Sequence, residues 1–328
     1  MDRNFIKNIK KAKMGVLVVT VLLILILPRF GSQYISYLIL TFFGYAVALL
    51  GFNLLFGYTG LVSFGHALFF AVGAYTVAFL TSKFSIFHME VILIVAIVCS
   101  AFIGALIGSV CVRYIKIYFG MLTLAFGMLF NSFLIKFYYV TGGDEGMRVL
   151  RPYLVGFNVS AIPKMQFLTG IYYYYSFVVL AIATWVMWRI VSSPFGLNLM
   201  AIRDNPEKAT YLGIDVKRYK WYAFIISSAY AAVGGALVAP VVGQVDPTLT
   251  YWTHSGNLVF MTLLGGFENF FGPLIGGVVY ILLQDKVMSL TVYWRFIFGA
   301  ILAFIVIAAP GGIVGVTGSL LKRRERGE

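Results

Sequence analysis

Long runs of apolar residues, separated by short polar segments, dominate the pattern of the chain. A helix that crosses a membrane needs about 20 mostly apolar residues, and most of the runs approach that length. Ten runs are candidates for membrane segments: 14–28, 34–56, 67–82, 89–112, 117–140, 171–191, 219–243, 256–267, 270–284 and 293–309. The pattern predicts an all-α polytopic membrane protein with about eight to ten transmembrane helices in a single domain, residues 14–316.

Two interruptions of this apolar pattern are rich in glycine. The first, residues 57–66, reads Gly-Tyr-Thr-Gly-Leu-Val-Ser-Phe-Gly-His, and the second, residues 265–273, separates two runs that are too short to span comfortably. Irregular backbone at membrane depth is tolerated only where it is buried in protein or lines a wet cavity. The interruptions therefore predict broken or re-entrant helices, and their occurrence in both halves of the chain predicts a pseudo-symmetric repeat. Ordinary tight turns at the membrane face are the alternative for both.

Composition supports a membrane protein and excludes two other classes. Apolar residues make up 61% of the 328 residues and charged residues 11%, whereas a soluble domain is about 45–50% apolar and about 25% charged. A soluble globule and a disordered chain are therefore excluded. The net charge of +13 would by itself suggest a nucleic-acid partner. The basic clusters do not alternate with aromatic residues on a polar domain, however, so we predict no nucleic-acid binding.

The positive charges are concentrated where they can set the orientation in the membrane. Seventeen of the 25 lysines and arginines lie in four segments: 1–13, 113–116, 189–220 and 322–326. Short loops rich in lysine and arginine stay in the cytoplasm, so we expect the basic tails 1–13 and 317–328 and the loop 192–218 on that side. The loop 141–170 is then external. The run 14–28 follows a basic tail but lacks a small-residue cleavage site, which predicts a retained first helix rather than a signal peptide.

Motifs of catalysis and of ATP binding are missing from the sequence. It contains no Gly-x-x-x-x-Gly-Lys-Ser/Thr P-loop, no Gly-x-Ser-x-Gly nucleophile motif and no His-Glu-x-x-His metal motif. His66, His88 and His254 are far apart in the sequence and lack the spacing of metal ligands. We therefore expect no enzymatic activity, no metal and no cofactor in this chain. The long apolar runs also hold no central carboxylate, which argues against a proton-coupled carrier.

The loop 192–218 has the pattern of two short helices. Three apolar residues at i, i+4 and i+7 form one face of the first helix: Phe195, Leu199 and Ile202. Four residues suit the ends of a second helix, 206–212: Asn205 as its cap, Pro206 and Glu207 in its first turn, and Gly213 after its end. Two such helices between long membrane segments would form a docking surface for a partner, and a purely structural loop is the alternative.

Three separate segments of the sequence resemble one family of membrane proteins. Residues 57–67, continued by the Gly-Ala-Tyr of 73–75, resemble the signature of branched-chain amino acid ABC-transporter permeases of the LivM type. Residues 141–146 resemble the Thr-Gly-Gly-x-x-Gly external loop of the same subunits, and residues 193–214 resemble their cytoplasmic coupling loop. Lys208 departs from the Glu-Ala-Ala-x-x-x-Gly motif of the wider permease group.

This resemblance, which extends from about residue 35 to residue 316, implies a function and partners. It implies the membrane-spanning subunit of an ATP-driven importer for branched-chain or other hydrophobic amino acids, located in the cell membrane. A second homologous permease, two cytoplasmic P-loop ATPase subunits that use the ATP, and an external solute-binding protein would complete the complex. A urea, short-amide or other small-solute permease of the same superfamily is an alternative, and so is a self-sufficient secondary transporter or channel.

Two groups of residues are candidates for the transport machinery. The translocation route is predicted at the first interruption, where polar groups offset the desolvation of a zwitterion and glycines let the backbone bend: Gly57, Gly60, Ser63, Phe64, Gly65 and His66. Coupling to the ATPase is predicted in the loop 192–218: Phe195, Leu199, Ile202, Arg203, Asp204, Asn205, Glu207 and Gly213. In that hypothesis the apolar face of the first helix fills a groove on the ATPase, and the charged residues lie at its rim.

Overall fold

The computed structural model describes residues 28, 33–114, 117–156, 162–309 and 311–315. Within them the chain folds into thirteen α-helices: α1 (Gln33–Thr59), α2 (His66–Ser82), α3 (Met89–Cys111), α4 (Ile117–Lys136), α5 (Tyr138–Thr141), α6 (Lys164–Thr169), α7 (Ile171–Val191), α8 (Pro194–Asp204), α9 (Pro206–Tyr211), α10 (Val216–Val242), α11 (Trp252–Gly265), α12 (Gly272–Leu290) and α13 (Trp294–Ala308). Two very short strands pair antiparallel: β1 (Met147–Arg148) and β2 (Gln244–Val245). The predicted all-α architecture is confirmed.

Apolar helices long enough to cross a membrane make up most of the described chain. Seven stretches qualify by length and composition: Gln33–Thr59, Met89–Cys111, Ile117–Lys136, Lys164–Val191, Val216–Val242, Gly272–Leu290 and Trp294–Gly315. Helix α2 is also apolar but shorter. These helices confirm the prediction of a polytopic membrane protein. All but the last residue of the predicted first helix 14–28, and the two tails, 1–13 and 317–328, lie outside the described residues.

Some helix boundaries differ from the predicted runs. The run 117–140 contains two helices, α4 and α5, and the run 256–267 belongs to α11, which begins earlier. The run 270–284 underestimates α12, which continues through the polar residues that follow. One stabilising contact there is a hydrogen bond that Asp285 accepts from the Tyr34 hydroxyl at the start of α1. A polar side chain ends an apolar run in the sequence without ending the helix.

Helix α10 lies at the centre of the bundle and packs against α1, α2 and α3. These contacts are close because glycines face the backbone of the neighbouring helix. A Cβ atom at Gly73 would lie 1.9 Å from the Ala232 carbonyl oxygen, and one at Gly235 would lie 1.8 Å from the Phe70 carbonyl oxygen. Small residues at such positions let helices approach in a membrane, where association depends on close packing. Glycines also lie at the contact of α1 with α10, where a Cβ atom at Gly44 would lie 2.7 Å from the Gly234 carbonyl oxygen. Helices α1 and α2 therefore both pack closely on α10 and flank it.

The loops lie at two opposite ends of the bundle. Helix α7 connects the segment 141–170 to the loop 192–218, and its length places these two loops at opposite ends. At the first end β1 pairs with β2, and His88 forms a bridge with Tyr153. We call these ends the 141–170 end and the 192–218 end.

The outer surface of the bundle is strongly apolar. Large hydrophobic side chains are exposed along α3, α4, α7 and α13, for example Phe102, Met121, Trp185 and Phe304. A soluble protein rarely exposes apolar patches of this extent. On membrane-spanning helices the same surface faces lipid or a partner subunit, so the exposed residues agree with the membrane prediction.

Candidate translocation and coupling site

The first helix break follows from the glycine at position 60. Gly60 immediately follows α1 and has a left-handed backbone with a φ of +71°. Its amide donates a hydrogen bond of 3.2 Å to the Phe56 carbonyl, which satisfies one of the free carbonyls at the end of the helix. Helix α2 begins at His66, so residues 60–65 form the break. The predicted interruption is therefore confirmed as a break between two helices.

The polar side chains of the break are buried, and one of them joins a hydrogen-bond chain. Ser63 and His66 are fully buried. His66 Nε2 lies 2.7 Å from Ser227 Oγ, and that hydroxyl donates to the Gly51 carbonyl at 2.6 Å. A serine hydroxyl has a single hydrogen, which the carbonyl accepts. The imidazole must therefore donate from Nε2, and we assign its proton on that ground.

Aromatic rings enclose the His66 imidazole. The rings of Phe52, Phe69 and Phe224 lie edge-on to it, with centroid distances of 5.3, 5.5 and 6.0 Å. A charged imidazole in such an apolar cage would be costly, so we assign the neutral form with an unprotonated Nδ1. Within the described residues, neither that Nδ1 nor the Ser63 Oγ has a hydrogen-bond partner. Buried polar atoms without a hydrogen-bond partner are rare in native proteins, and each one calls for an explanation.

The direction of the hydrogen bond argues against nucleophilic catalysis by the serine. A catalytic base accepts the proton of the nucleophile. Here Ser227 gives its proton to a backbone carbonyl, and His66 donates to the serine. Within the described residues, no group of three or more histidine, cysteine or acidic side chains could hold a metal ion. The arrangement suits the positioning of helices and the solvation of a polar solute.

A separate hydrogen bond joins the start of α2 to α11. The Ala67 amide at the start of α2 donates a hydrogen bond of 2.9 Å to Ser255 Oγ. Through Ser227 and Ser255 the first break is therefore connected to α1, α10 and α11. Sequence reasoning missed both serines, because neither belongs to a motif. Ser227 lies beside Ser228 within an apolar run, and Ser255 immediately precedes the run 256–267.

Of the three glycines predicted to let the chain bend, only Gly60 has a left-handed backbone. Gly57 lies within α1, so the prediction is wrong for it, and Gly65 lies in the break with a φ of −106°, a value that does not require glycine. Both are required for close packing instead. A Cβ atom at Gly65 would lie 2.0 Å from the Thr123 carbonyl oxygen, and one at Gly57 would lie 2.4 Å from the Phe267 carbonyl oxygen. Phe64 is partly buried against the core, and its gating role stays a prediction.

The two helices predicted in the loop 192–218 are present as α8 and α9. Helix α9 ends at Tyr211, one residue earlier than predicted. Asn205 caps it as expected, because its Oδ1 accepts a hydrogen bond of 2.9 Å from the Lys208 amide. Gly213 follows with a φ of +83°, as expected for a residue after a helix end.

The apolar face of α8 points into this protein. Leu199 and Ile202 are fully buried, and the Phe195 ring stacks on that of Tyr219 with centroids 5.5 Å apart. The prediction that the apolar face fills a groove on another subunit is therefore wrong for Leu199 and Ile202. Phe195 is only partly buried, and its role in docking stays a prediction. Helix α8 packs against α1, α7 and α10. Periodicity identifies an apolar face without showing which surface covers it.

Other apolar side chains of the loop are exposed. Leu197 is 60% exposed, Tyr211 88% and Leu212 80%, and we call these three residues the α8–α9 surface. Exposed acidic side chains, Asp204 and Glu207, lie in the same loop. Sequence reasoning missed the surface because Leu197 lies off the apolar face of α8 and the other two residues form too short a run.

Arg203 joins the loop 192–218 to the first break. Its Nη1 donates a hydrogen bond of 2.7 Å to the Gly57 carbonyl, and its Nε lies 3.3 Å from the Asp204 carboxylate. A Cβ atom at Gly60 would lie 3.1 Å from Arg203 Cγ, so the arginine stem packs on the break. The structure thus brings the two predicted groups of site residues together at the 192–218 end.

The second helix break reaches the same place. It consists of residues 266–271 between α11 and α12, and its first residue, Gly266, has a φ of +99°. The Phe267 ring stacks on the Phe56 ring of α1 with centroids 4.9 Å apart. Helices α11 and α12 pack directly against each other as a hairpin. Both breaks therefore meet near the end of α1.

Comparison with known families identifies the kind of protein. A family model described as the branched-chain amino acid transport system / permease component matches residues 34–306. The chain belongs to this family. The matched region contains both helix breaks and the loop 192–218, and the protein is a multi-pass membrane protein.

Individual relatives agree with the family match. The high-affinity branched-chain amino acid transport system permease protein LivM of Escherichia coli (strain K12) is 25% identical over 295 residues, which cover 85% of this chain and 69% of the relative. The LivM protein of Salmonella typhimurium is 26% identical over the same shares. The galactose/methyl galactoside import permease protein MglC of Salmonella typhimurium is 25% identical over 66% of each chain. No solved structure matches this chain.

Proposed function

We propose that this chain is the membrane-spanning permease subunit of an ATP-driven importer for branched-chain or other hydrophobic amino acids. The observation that carries the proposal is the similarity to LivM proteins over 85% of the chain. The seven long apolar helices fit a subunit that provides a path through a membrane. Because the sequence contains no P-loop, the energy comes from separate ATPase subunits and this chain binds no cofactor.

The proposed complex contains four kinds of subunit. Besides this chain it has a second homologous permease, two cytoplasmic P-loop ATPases and an external solute-binding protein. Both termini and the loop 192–218 face the cytoplasm, and the segment 141–170 faces outward. Support comes from the clustering of positive charge and from the position of the two loops at opposite ends of α7.

The proposed fold contains a pseudo-symmetric repeat, with one helix break in each half. Its support is the presence of both breaks, at residues 60–65 and 266–271, near the 192–218 end. The two halves have diverged in packing, because α1 and α2 flank α10 whereas α11 and α12 form a hairpin.

We propose that the ATPase docks on the loop 192–218 through the α8–α9 surface. Interfaces typically have an apolar centre and a polar rim, and the three exposed apolar residues with the nearby Asp204 and Glu207 have this composition. Exposed charge pairs are worth about 0–1 kcal/mol. The apolar side chains therefore contribute more to docking than any single charge.

The translocation route is proposed to pass the first break. A zwitterionic amino acid loses its hydration in an apolar channel, which is costly unless polar groups replace the water. Ser63 Oγ and His66 Nδ1 are buried atoms without a partner in the described chain, and they supply such groups. Both are closed off in the described conformation, so residues 60–65 must move for a solute to reach them.

The test is reconstitution of the complete importer in liposomes. The chain is co-expressed with the permease, ATPase and binding protein encoded by neighbouring genes, and ATP-dependent uptake of labelled leucine is measured. The control complex carries ATPase subunits whose P-loop lysine is replaced by alanine. We expect uptake that requires both ATP and an intact P-loop. Uptake that proceeds without ATP would show a secondary transporter or channel and contradict the proposal.

A second candidate is an ATP-driven permease for another small polar solute. The observation that favours it is the similarity to MglC, whose name describes galactose import. The same liposomes distinguish the two candidates, because the transported solute stimulates ATP hydrolysis in the presence of its binding protein. Stimulation by leucine, isoleucine or valine supports an amino acid importer. Stimulation by galactose, urea or short amides alone supports the second candidate.

A further inference from the structure

Arg203 joins two helices, α8 and α1. It is in the last turn of α8, and its Nη1 donates a 2.7 Å hydrogen bond to the Gly57 carbonyl in the last turn of α1. The last four carbonyls of a helix have no partner within the helix, and a cation near them is favoured by the helix dipole. The bond is also charge-assisted, which makes it stronger than one between neutral groups. Arg203 therefore fixes the end of α1 to α8.

Helix α8 packs tightly against α7 and α10. A Cβ atom at Gly196 would lie 2.0 Å from the Val191 carbonyl oxygen, so α8 folds back tightly on the end of α7. Asn198 donates a hydrogen bond of 2.8 Å to the Tyr219 hydroxyl of α10. Leu199 on the same helix is fully buried, and because close-packed interiors transmit strain, a displacement of α8 reaches the residues packed around it.

Helix α9, in contrast, is almost entirely exposed. Ala209 is its buried residue, and Tyr211 at its end is 88% exposed. A partner that docks on α9 pulls on α8 through Asn205, the residue between the two helices. Arg203 lies two residues before that junction, and its stem packs against Gly60 of the first break.

The end of α1 also touches the second break. The Gly57 backbone has no room for a Cβ atom because the Phe267 carbonyl oxygen lies next to it, and the Phe56 ring stacks on the Phe267 ring. A movement of the α1 end therefore affects residues 60–65 and residues 266–271 together. Through its hydrogen bond to the Gly57 carbonyl, Arg203 can therefore affect the position of both breaks.

We propose that Arg203 is a positioning residue that couples the loop 192–218 to the helix breaks, so that movement imposed on α8 and α9 opens or closes the route at residues 60–65. This inference rests on the proposed function and assigns a specific role to a residue of the same site. Arg203 acts through the Gly57 carbonyl and contacts neither solute nor ATP. Its loss uncouples ATP hydrolysis from transport while the complex stays assembled.

The test compares uptake per ATP hydrolysed in reconstituted importers. Arg203→Met keeps the aliphatic stem that packs near Gly60 and removes the donors to the Gly57 carbonyl. We expect the ATPase to co-purify normally and ATP hydrolysis to continue, while uptake per ATP falls on the order of tenfold because the charge-assisted contact is lost. Arg203→Lys keeps a charged donor but lacks the planar fork of the guanidinium. Its uptake per ATP should therefore lie between the values of the wild type and of Arg203→Met.

The matched control is Arg218→Met in the same loop. Arg218 also pairs with an acidic neighbour, Asp215, at 3.0 Å, but its side chain is 77% exposed. We expect wild-type uptake per ATP from this variant. A merely structural role for Arg203 would lower assembly, hydrolysis and uptake in the same proportion, and that result would overturn the proposal. Unchanged uptake per ATP in Arg203→Met would overturn it as well.

Two further outcomes are distinguishable in the same experiment. If Arg203→Met does not assemble, Arg203→Lys decides, because uptake per ATP below wild type supports coupling and wild-type uptake per ATP refutes it. If the wild-type complex itself shows no ATP-dependent uptake, the proposed function fails. If the wild-type complex transports and Arg203→Met has the same uptake per ATP, the role of Arg203 is rejected and the proposed function still holds.

Discussion

The residues that hold the first break in place act mainly on the backbone of other helices. Gly65 leaves room for the Thr123 carbonyl of α4. Ser227 donates to the Gly51 carbonyl of α1 while it accepts from His66 at the start of α2. Each therefore fixes the position of one helix relative to another. Substitutions at these positions should change the stability of the bundle first.

Replacing Gly65 by alanine should destabilise the protein. The new Cβ atom would lie 2.0 Å from the Thr123 carbonyl oxygen, and backbone must shift to make room, at a cost of about 1–3 kcal/mol. The measurement is the thermal unfolding midpoint of the detergent-solubilised chain. Gly256→Ala is the matched control, because no described atom lies within 4 Å of a Cβ built there. Equal midpoints for the two variants would contradict the packing role of Gly65.

Replacing Ser227 by alanine should also lower stability, for a different reason. It removes the donor to the Gly51 carbonyl and leaves the His66 Nε2 proton buried without an acceptor, which costs about 1–3 kcal/mol. The same unfolding measurement applies. Ser289→Ala is the control, because Ser289 is exposed and bonds only within its own helix among the described contacts. If both serine variants unfold at the wild-type temperature, the buried network is not a stabilising feature.

At the scale of elements, the loop 192–218 shows which features can be predicted from the local sequence and which cannot. The cap at Asn205, the left-handed Gly213 and the apolar face of α8 are all local features, and the structure confirms them. The surface that covers Leu199 is not a local feature, because it depends on how α1, α7 and α10 assemble. The periodicity of α8 therefore cannot distinguish a face buried within the subunit from a face that docks on a partner.

The helix breaks show the same limit. Gly60 could be predicted to end α1, because a left-handed residue after a helix is a local requirement. The need for glycine at 57 and 65 could not be predicted, because it comes from the Phe267 and Thr123 carbonyls of distant segments. For the same reason the contact between Arg203 and Gly57, which are far apart in the chain, has no signal in one sequence.

The α8–α9 surface should be required for docking of the ATPase. Tyrosine is enriched among the residues that dominate interface energies, so Tyr211→Ala should weaken ATPase binding at least about tenfold, or about 1.4 kcal/mol. The measurement is the affinity of the purified ATPase for the permease pair in nanodiscs. Tyr293→Ala is the control, because Tyr293 is 78% exposed but lies at the 141–170 end. Normal binding by Tyr211→Ala would place the docking surface elsewhere.

At the scale of the whole molecule, two observations of different origin agree. The positive charges predict that the loop 192–218 is cytoplasmic. The packing independently gathers both helix breaks at the 192–218 end, where Arg203 and Phe267 contact the end of α1. An importer driven by a cytoplasmic ATPase needs its movable segments within reach of the loop that receives the force. The orientation and the contacts therefore support one mechanism.

The proposed orientation, with the loop 192–218 in the cytoplasm and the segment 141–170 outside, can be tested by cysteine labelling in intact cells. The background is a chain in which Cys99 and Cys111 are replaced by alanine, and single cysteines are introduced as Asp144→Cys and Glu207→Cys. Both native residues are exposed, and they lie at opposite ends of the bundle. Because lysine and arginine cluster around the second position, an impermeant maleimide should label the cysteine at 144 from outside. The cysteine at 207 should react only after the cells are permeabilised. The reverse labelling pattern would show the opposite topology, in which the loop 192–218 is external and no cytoplasmic ATPase could contact it.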